Sequence, residues 1–296
     1  MAQFRISAFA DEAAADFIEQ IQALRANDIG QIEVRGVNGK NISALTDGEA
    51  REAAAKLGDY GIGISSMGSP YGKYPINEPI GKHIEDFKRG LDICAIMGIE
   101  RIRMFSFFMP SEQEADIHKN AVYDGIDAML NLAKPYAIRL SHENEKGIYG
   151  DVTHRCVELM RAFDGRMGFI FDPANFIQCG VEPLEAFGEL SRYTDYMHIK
   201  DALLDGGAVV PAGAGDGDVA AILSRLADER TDEVTLTVEP HLTVFKGLEG
   251  LQDDALAHKY HYPDAGTAFA AAVGALKDIL ASLNFKQNAG GKLWTR

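Results

Sequence analysis

The chain has 296 residues, of which 44 are acidic and 29 are basic, so its formal net charge is −15. Hydrophobic residues make up 46% and charged residues 25%, which is typical of a globular protein and not of a disordered or fibrous one. The acidic balance argues against a nucleic-acid-binding protein, because phosphate backbones attract basic surfaces.

The sequence also carries expectations about the compartment of the protein. Its three cysteines, Cys94, Cys156 and Cys179, form no Cys-x-x-Cys pair, which favours reduced thiols in the cytoplasm. The N-terminal segment has no basic region followed by an apolar run, so no signal peptide is expected. No apolar stretch approaches the ~18 residues that a membrane-spanning helix needs, so we expect no membrane association.

Short apolar or β-branched runs recur along the chain, and each is followed by a segment with helical periodicity. The predicted strands are 4–9, 32–34, 62–66, 101–105, 137–143, 167–171, 196–199 and 234–238. The predicted helices contain or span 18–24, 47–57, 84–93, 126–132, 153–163, 183–190, 218–226 and 266–283.

This strict alternation of eight strands and eight helices predicts an α/β protein with a parallel sheet covered by helices. Eight such units in a chain of this length are typical of a (β/α)8 TIM barrel, and a doubly wound sheet is the alternative. No linker or change in composition divides the chain, so we expect a single barrel domain over residues 1–286. Residues 287–296, which include Gly290, Gly291 and Trp294, are expected to form a C-terminal extension.

Acidic residues and a histidine lie at the ends of four consecutive predicted strands. Glu143, Asp172, His198 and Glu239 occupy these positions, with Glu145 as an alternative to Glu143. Each alone is more often a helix cap, a loop residue or a packed histidine. Because the C-terminal strand ends of a barrel meet at one rim, the four together predict a divalent-metal site. Oxygen-rich ligands with one imidazole favour Mn²⁺, with Mg²⁺, Co²⁺ or Zn²⁺ as alternatives.

Several segments resemble the xylose isomerase-like superfamily of sugar phosphate isomerases and epimerases. They are SAFADEAAADFIEQIQAL, IEVRG, HENEKGIYGD, FDPANF, MHIKDA, PAGAGDGDV and VEPHL, and they cover nearly the whole chain. The resemblance implies that Glu143, Asp172, His198 and Glu239 bind one metal ion. It favours Glu143 over Glu145, because the family's ligand directly precedes an asparagine, as in Glu143-Asn144.

Two positions depart from the ketose 3-epimerases of this superfamily. Those enzymes carry a histidine three residues after the metal-binding Asp and an arginine six residues after the metal-binding His. This chain has Asn175 and Leu204 there, so the resemblance does not extend to these two substrate contacts. Endonuclease IV is a relative rich in histidines, but this chain lacks its Asp-x-x-His motif and is strongly acidic.

The ligand set predicts enolisation of a carbohydrate, since a divalent ion that chelates a carbonyl and its adjacent hydroxyl acidifies the intervening C–H. By analogy with the family, Glu143 and Glu239 are the catalytic acid and base. Epimerase or isomerase activity is the first hypothesis. A dehydratase of a keto-sugar or keto-inositol, or a 3-keto-glycoside lyase, is the second, and a non-catalytic sugar-binding barrel is the third. Members of the family often form dimers or tetramers.

Other polar residues are candidates for contacts to substrate. Lys200 shares the strand phase of His198 and either binds substrate or forms a salt bridge with Asp201 or Asp216. Further candidate substrate-binding residues are Asn175, His241, Ser69 and Lys73.

Three other features of the sequence are expected to have structural and not catalytic roles. Glu33 and Arg35 are expected to form an internal ion pair, and His142 is expected to be packed. The glycine-rich segment 213–218 is neither a dinucleotide-binding nor a P-loop motif, and Asp216 or Asp218 is predicted to cap the following helix.

Overall fold

The computed structural model describes residues 2–110, 114–242, 260–288 and 292–296. Its main sheet contains eight parallel strands, which we number along the chain and which confirm the predicted TIM-barrel fold. They are β1 (Gln3–Ala8), β2 (Gln31–Val34), β3 (Gly63–Met67), β4 (Arg101–Met104), β5 (Arg139–Glu143), β6 (Gly168–Phe171), β7 (Thr194–Ile199) and β8 (Glu233–Val238).

Nine α-helices lie within these described residues. They are α1 (Phe17–Ala26), α2 (Asp47–Asp59), α3 (Gly81–Met97), α4 (Lys119–Ala133), α5 (Thr153–Ala162), α6 (Pro173–Gln178), α7 (Pro183–Leu190), α8 (Val219–Glu229) and α9 (Ala265–Ser282). Local sequence sets several helix starts, since Asp16 caps α1 and Thr46 forms a capping box with Glu49 at α2. Among the α-helices of the described residues, α6 alone is not predicted from the sequence, because it is too short to show helical periodicity.

Neighbouring strands pair in sequence order from β2 to β7, and β8 then pairs with both β7 and β1. β1 and β2 are the ends of this ladder and lie in contact with each other, so the sheet curls around a common interior. All eight strands run in parallel, and their C-terminal ends therefore lie at one rim.

Short elements complete the described chain. Residues Gly36–Val37 pair with Lys40–Asn41, and Asp201–Ala202 pair with Val209–Val210. Near the C-terminus, Lys286–Gln287 pair with Trp294–Thr295, and Trp294 lies antiparallel to Phe4 of β1. The predicted extension of residues 287–296 therefore begins within a pairing that joins it to the barrel sheet, and Gly290 and Gly291 lie outside the described residues.

The expectation that no apolar stretch approaches the length of a membrane span is wrong for the last helix, α9, which is the one described helix that is long and apolar enough by length and composition. Its buried side chains recur every three or four residues, at Ala268, Phe269, Ala272, Val273 and Leu276. This periodicity is typical of a helix that packs one face against a protein core.

Candidate metal centre

The four residues predicted as metal ligands lie at one end of the barrel. Glu143 ends β5, Asp172 directly follows β6, His198 lies near the end of β7, and Glu239 directly follows β8. Their candidate ligand atoms all lie within 4.8 Å of one another. None of the four residues is more than 3% exposed. We refer to these four residues as the acidic cluster.

Asp172 is held in place by its neighbours in sequence and in space. The amide of Asn144 exchanges two hydrogen bonds with the backbone of Asp172, at 2.9 and 3.0 Å. Asp172 Oδ1 accepts a hydrogen bond from the backbone N–H of Asn175 at 2.9 Å and thereby caps α6. The helix start therefore fixes this carboxylate and leaves its Oδ2 atom to the cluster.

The imidazole of His198 bridges two buried carboxylates. Its Nδ1 atom lies 2.8 Å from Glu143 Oε1, and its Nε2 atom lies 3.2 Å from Glu33 Oε2. Glu33 also accepts a hydrogen bond from the hydroxyl of Tyr196 at 3.0 Å. A carboxylate behind a histidine fixes the tautomer and ring orientation of a metal ligand, so Glu33 has the place of an outer partner to the cluster.

The predicted ion pair between Glu33 and Arg35 is wrong. Arg35 extends beyond the end of β2 and pairs with Asp11 at 2.8 Å, Glu12 at 3.0 Å and Glu239 Oε1 at 3.3 Å. The two residues share a strand face, but they meet partners from different strands of the barrel. His241 joins the second group, since its Nε2 atom lies 3.2 Å from Glu12 and 3.4 Å from Glu239.

Two buried cations face the acidic cluster. Lys200 Nζ lies 2.9 Å from Asp172 Oδ2 and 3.1 Å from Glu239 Oε2. Arg103 Nη1, from β4, lies 3.2 Å from Glu143 Oε2. Lys200 therefore faces the site as its strand phase predicts, and the alternative salt bridge to Asp201 or Asp216 is wrong.

These contacts shift the pKa values of the cluster in opposite directions. Burial raises the pKa of Asp172 to about 7, although Lys200 opposes this shift. Burial also acts on Glu143, but His198 and Arg103 outweigh it and lower the pKa of Glu143 to about 2. Burial would lower the pKa of His198, yet Glu143 and Glu33 raise it to about 10. The pKa values of two neighbouring carboxylates are therefore shifted in opposite directions beside one imidazole.

The donor set of the acidic cluster fits a divalent cation. Glu143 Oε2 and Asp172 Oδ2 are buried, and neither accepts a hydrogen bond with good geometry from the described residues, although both lie near a cation. Such atoms are costly to bury without a partner. Three carboxylates and one imidazole are ligands that suit Mn²⁺, Mg²⁺ and related ions, with Zn²⁺ also compatible.

Of the other predicted substrate-binding residues, Asn175 and His241 contact the acidic cluster, whereas Ser69 and Lys73 have other partners. Asn175 is buried, and its side-chain N–H group lies 3.3 Å from Glu143 Oε1. His241 contacts Glu239, as described above. The Ser69 hydroxyl donates to the carbonyl of Arg103 at 2.5 Å, so it supports β4. Lys73 pairs with Glu145 at 2.7 Å, and this alternative ligand Glu145 therefore lies outside the cluster.

The glycine-rich segment is organised by Asp201 and not by a helix cap. The Asp201 carboxylate accepts hydrogen bonds from the backbone N–H groups of Ala202, Gly213, Gly215 and Gly217 at 2.8–3.2 Å. Asp218 precedes α8 without a side-chain cap, and Asp216 accepts from the backbone of Leu204. Asp218 therefore occupies the N-cap position as predicted, but its side chain makes no capping hydrogen bond to α8, and Asp216 does not cap the helix.

His142 is buried as expected. Its Nε2 atom lies 2.9 Å from the Ser106 hydroxyl, which also accepts the N–H of Gly150. Burial lowers the pKa of His142 to about 3, so this side chain is neutral at physiological pH. It packs on the outer face of the sheet against Phe169 and takes no part in the cluster.

Sequence reasoning did not single out Arg103 or the partnership between Glu33 and His198. A pattern that could have indicated Arg103 is the alternation Arg101-Ile102-Arg103, which places two cations on one face of β4. No local pattern connects Glu33 to His198, because the two lie 165 residues apart in the chain.

Comparisons with known proteins agree with this architecture. A family model described as the xylose isomerase-like TIM barrel matches residues 10–258. The structure of a D-tagatose 3-epimerase-like protein superposes with a TM-score of 0.72 at 13% identity, covering 95% of this chain and 98% of that chain. None of the curated proteins compared with this sequence matches it significantly.

Two further structures share the fold. The IOLI protein with a binding zinc atom has a TM-score of 0.72 at 13% identity, covering 94% of this chain and 99% of that chain. The probable 3-DHS dehydratase AsbF from Bacillus anthracis has a TM-score of 0.70 at 15% identity, covering 92% of this chain and 98% of that chain. At these identities the likeness establishes the fold.

Proposed function

Because the chain belongs to the xylose isomerase-like TIM-barrel family, we propose that it is a divalent-metal-dependent sugar isomerase or epimerase. The observation that carries this proposal is the acidic cluster, in which Glu143, Asp172, His198 and Glu239 bring their ligand atoms within 4.8 Å of one another. A set of buried carboxylates with one imidazole suits a hard divalent ion, and we propose Mn²⁺ as its usual occupant.

The ion would polarise a carbonyl and an adjacent hydroxyl of the sugar, which acidifies the C–H between them. Glu143 and Glu239 are the residues that we assign to proton transfer. Glu143 ends β5 and Glu239 follows β8, and two strands lie between β5 and β8. The two carboxylates therefore enter the site from different parts of the rim. Each carboxylate has one oxygen near His198 and the other near an arginine, Arg103 for Glu143 and Arg35 for Glu239. Removal of a proton by one of them and its return by the other would epimerise or isomerise the sugar.

Lys200 is positioned to contact the same substrate. Its ammonium group lies between Asp172 and Glu239 and is buried with them. We propose that it donates a hydrogen bond to a substrate oxygen, because an ammonium group can turn its three N–H donors between partners. Asn175 has a supporting place, since its amide already donates to Glu143 and to the carbonyl of Asn144.

Elimination is a second candidate reaction, in which the same proton abstraction is followed by loss of a leaving group. Two positions count against the alternative of ketose 3-epimerisation. Asn175 and Leu204 stand where the family's ketose 3-epimerases carry substrate-binding His and Arg residues, and Leu204 is 48% exposed. One structural neighbour is also described as a probable dehydratase.

The test is proton NMR of ketoses, aldoses and keto-inositols in D₂O, with Mn²⁺ and then with EDTA. We expect metal-dependent exchange of the C–H next to the carbonyl for at least one substrate. A reversible mixture of isomers would identify an isomerase or epimerase, whereas an irreversible product that lacks water would identify a dehydratase. Absence of exchange from every compound while Mn²⁺ is bound would contradict both enzyme hypotheses and favour a sugar-binding barrel.

Two variants test which carboxylates transfer the proton in this assay. Glu239→Gln should abolish exchange, because the amide cannot accept the substrate proton as a base. Glu145→Gln is the matched control, since Glu145 follows the same strand as Glu143 but pairs with Lys73 outside the cluster. The control should retain exchange, and equal loss in both variants would contradict the assignment of Glu143 and Glu239.

A further inference from the structure

Arg103 is a buried cation that uses few of its hydrogen-bond donors among the residues that the structure describes. Its side chain is 7% exposed. Among the described residues, its Nε atom has no hydrogen-bond partner, and Nη2 makes one long contact of 3.5 Å to the carbonyl of Ser69. A guanidinium group carries five N–H donors, and buried donors in folded proteins are normally satisfied. Arg103 therefore has donors left for an acceptor that is not part of the described chain.

Two aromatic rings fix the direction of this guanidinium. Its Cζ atom lies 5.0 Å from the centre of the Phe9 ring and 5.1 Å from that of Phe105. The Phe9 ring also contacts His198 edge-on at 5.1 Å, so the same ring supports the arginine and the acidic cluster. A Cβ atom at Gly68 would lie 2.5 Å from Phe9, so the close fit of this ring depends on that glycine.

A second arginine at this site, Arg35, has a carboxylate partner for each of its three side-chain nitrogens. Arg35 lies 4.6 Å from the centre of the same Phe9 ring, but it has Asp11, Glu12 and Glu239 as partners. Arg103 has one carboxylate neighbour, Glu143, and that carboxylate also accepts from His198 and Asn175. Arg103 therefore shares its one ion-pair partner among the described residues with two other donors, and a buried cation is costly unless its charge is well compensated.

We infer that Arg103 binds a carboxylate of the substrate, so that the substrate is an acidic keto sugar and not a neutral ketose. This inference rests on the proposed function and names the substrate class of the same site. The planar guanidinium matches a carboxylate through two parallel hydrogen bonds, a geometry that a neutral hydroxyl cannot reproduce. The aromatic contacts hold that fork in place before substrate arrives, which favours tight binding.

The experiment compares D-gluconate with D-glucitol, two six-carbon polyols that differ at C1, where a carboxylate replaces a hydroxymethyl group. Binding to the Mn²⁺-loaded protein is measured by calorimetry, and Mn²⁺ occupancy is followed by electron paramagnetic resonance. We expect D-gluconate to bind at least about tenfold more tightly than D-glucitol. R103M should lose that preference while Mn²⁺ still binds, because Arg103 is not one of the four candidate ligands.

R101M is the matched control. Arg101 lies two residues earlier on the same face of β4, where it contacts the ring of Tyr196 at 5.0 Å instead of the cluster. It should keep the preference for D-gluconate. R103K retains the buried charge without the planar fork, and it should bind D-gluconate with an affinity between those of the unmodified protein and R103M. R103K thus tests the fork even if R103M folds poorly.

Three results would overturn the inference: equal binding of the two polyols, a preference that survives in both R103M and R103K, or displacement of D-gluconate by equimolar inorganic phosphate. Metal-dependent exchange of neutral ketoses together with equal polyol binding would overturn this inference and leave the proposed function in place. A carboxylate preference that depends on Arg103, without exchange of any sugar, would support the carboxylate subsite and contradict the proposed function.

Discussion

His198 directs its Nε2 atom at the buried carboxylate of Glu33, 3.2 Å away on the opposite edge of the ring from Glu143. The two ring nitrogens of His198 therefore have different partners. The Nδ1 atom faces the acidic cluster, and the Nε2 atom donates to Glu33. The hydroxyl of Tyr196 completes the arrangement by donating to the other oxygen of Glu33.

We predict that Glu33→Gln weakens the binding of Mn²⁺ by about 10- to 100-fold, the range typical for loss of an outer partner to a metal-bound histidine. The amide can still accept a hydrogen bond, but it lacks the negative charge that makes the imidazole a better ligand. Calorimetric titration with Mn²⁺ measures the effect. Tyr196→Phe is the control, because it removes one hydrogen bond from Glu33 and keeps the charge, so it should weaken binding less. Unchanged affinity in Glu33→Gln would contradict the role assigned to this carboxylate.

Metal binding should strengthen as pH rises. The pKa of His198 is raised to about 10 and that of Asp172 to about 7, so at pH 7 the protein stripped of metal holds a proton on His198 and about half a proton on Asp172. Both groups must be deprotonated to act as ligands, so the ion has to displace these protons. Raising the pH removes them in advance and lowers the cost of binding.

The number of protons released is measured by calorimetry at pH 7 in two buffers of different ionisation enthalpy. We expect between about one and two protons per Mn²⁺ ion, and an apparent affinity that increases from pH 6 to pH 8. Binding that releases no proton and does not change with pH would show that the cluster is already deprotonated.

The four members of the acidic cluster could be predicted from the sequence because each lies at the end of a strand, and consecutive parallel strands end at one rim. The partners of the cluster could not be found in this way. Glu33 and Arg35 share a strand face, which suggested that they pair with each other. The curled sheet instead brings Glu33 to His198 and Arg35 to Glu239, from strands that are distant in sequence. Contacts across a barrel depend on closure of the sheet, and a local sequence pattern does not predict that closure.

Lys200 should compete with the metal ion for the same carboxylates. Its ammonium group lies 2.9 Å from Asp172 and 3.1 Å from Glu239, two of the candidate ligands. We therefore predict that Lys200→Met binds Mn²⁺ more tightly, by several-fold, because no internal cation has to be displaced. The same variant should lose most of its turnover, because the proposed contact to substrate is gone.

Lys73→Met is the control for this pair of effects. Lys73 pairs with the partly exposed Glu145 outside the cluster, so its loss should leave Mn²⁺ affinity unchanged. Titration with Mn²⁺ and the exchange assay in D₂O together separate the two roles of Lys200. Weaker Mn²⁺ binding in Lys200→Met would show that the lysine supports the ligands instead of competing for them.

Asp201, the residue after Lys200, organises the glycine-rich loop that precedes α8. Its carboxylate is buried and accepts four backbone N–H groups, three of which come from Gly213, Gly215 and Gly217. A Cβ atom at Gly215 would lie 2.4 Å from Asp201 Oδ1, so the loop fits closely around the carboxylate. Asp201→Ala leaves several buried N–H groups without an acceptor, each of which costs about 1–3 kcal/mol.

We therefore predict that Asp201→Ala lowers the free energy of unfolding by about 4 kcal/mol, since some of the exposed N–H groups will recruit water. Asp216→Ala is the matched control in the same loop, because Asp216 accepts only the N–H of Leu204 among the described residues, and it should cost about 1 kcal/mol. Urea denaturation of both variants measures the difference. Equal losses would mean that the carboxylate of Asp201 does not organise the loop, and that the glycine-rich backbone holds its shape without this acceptor.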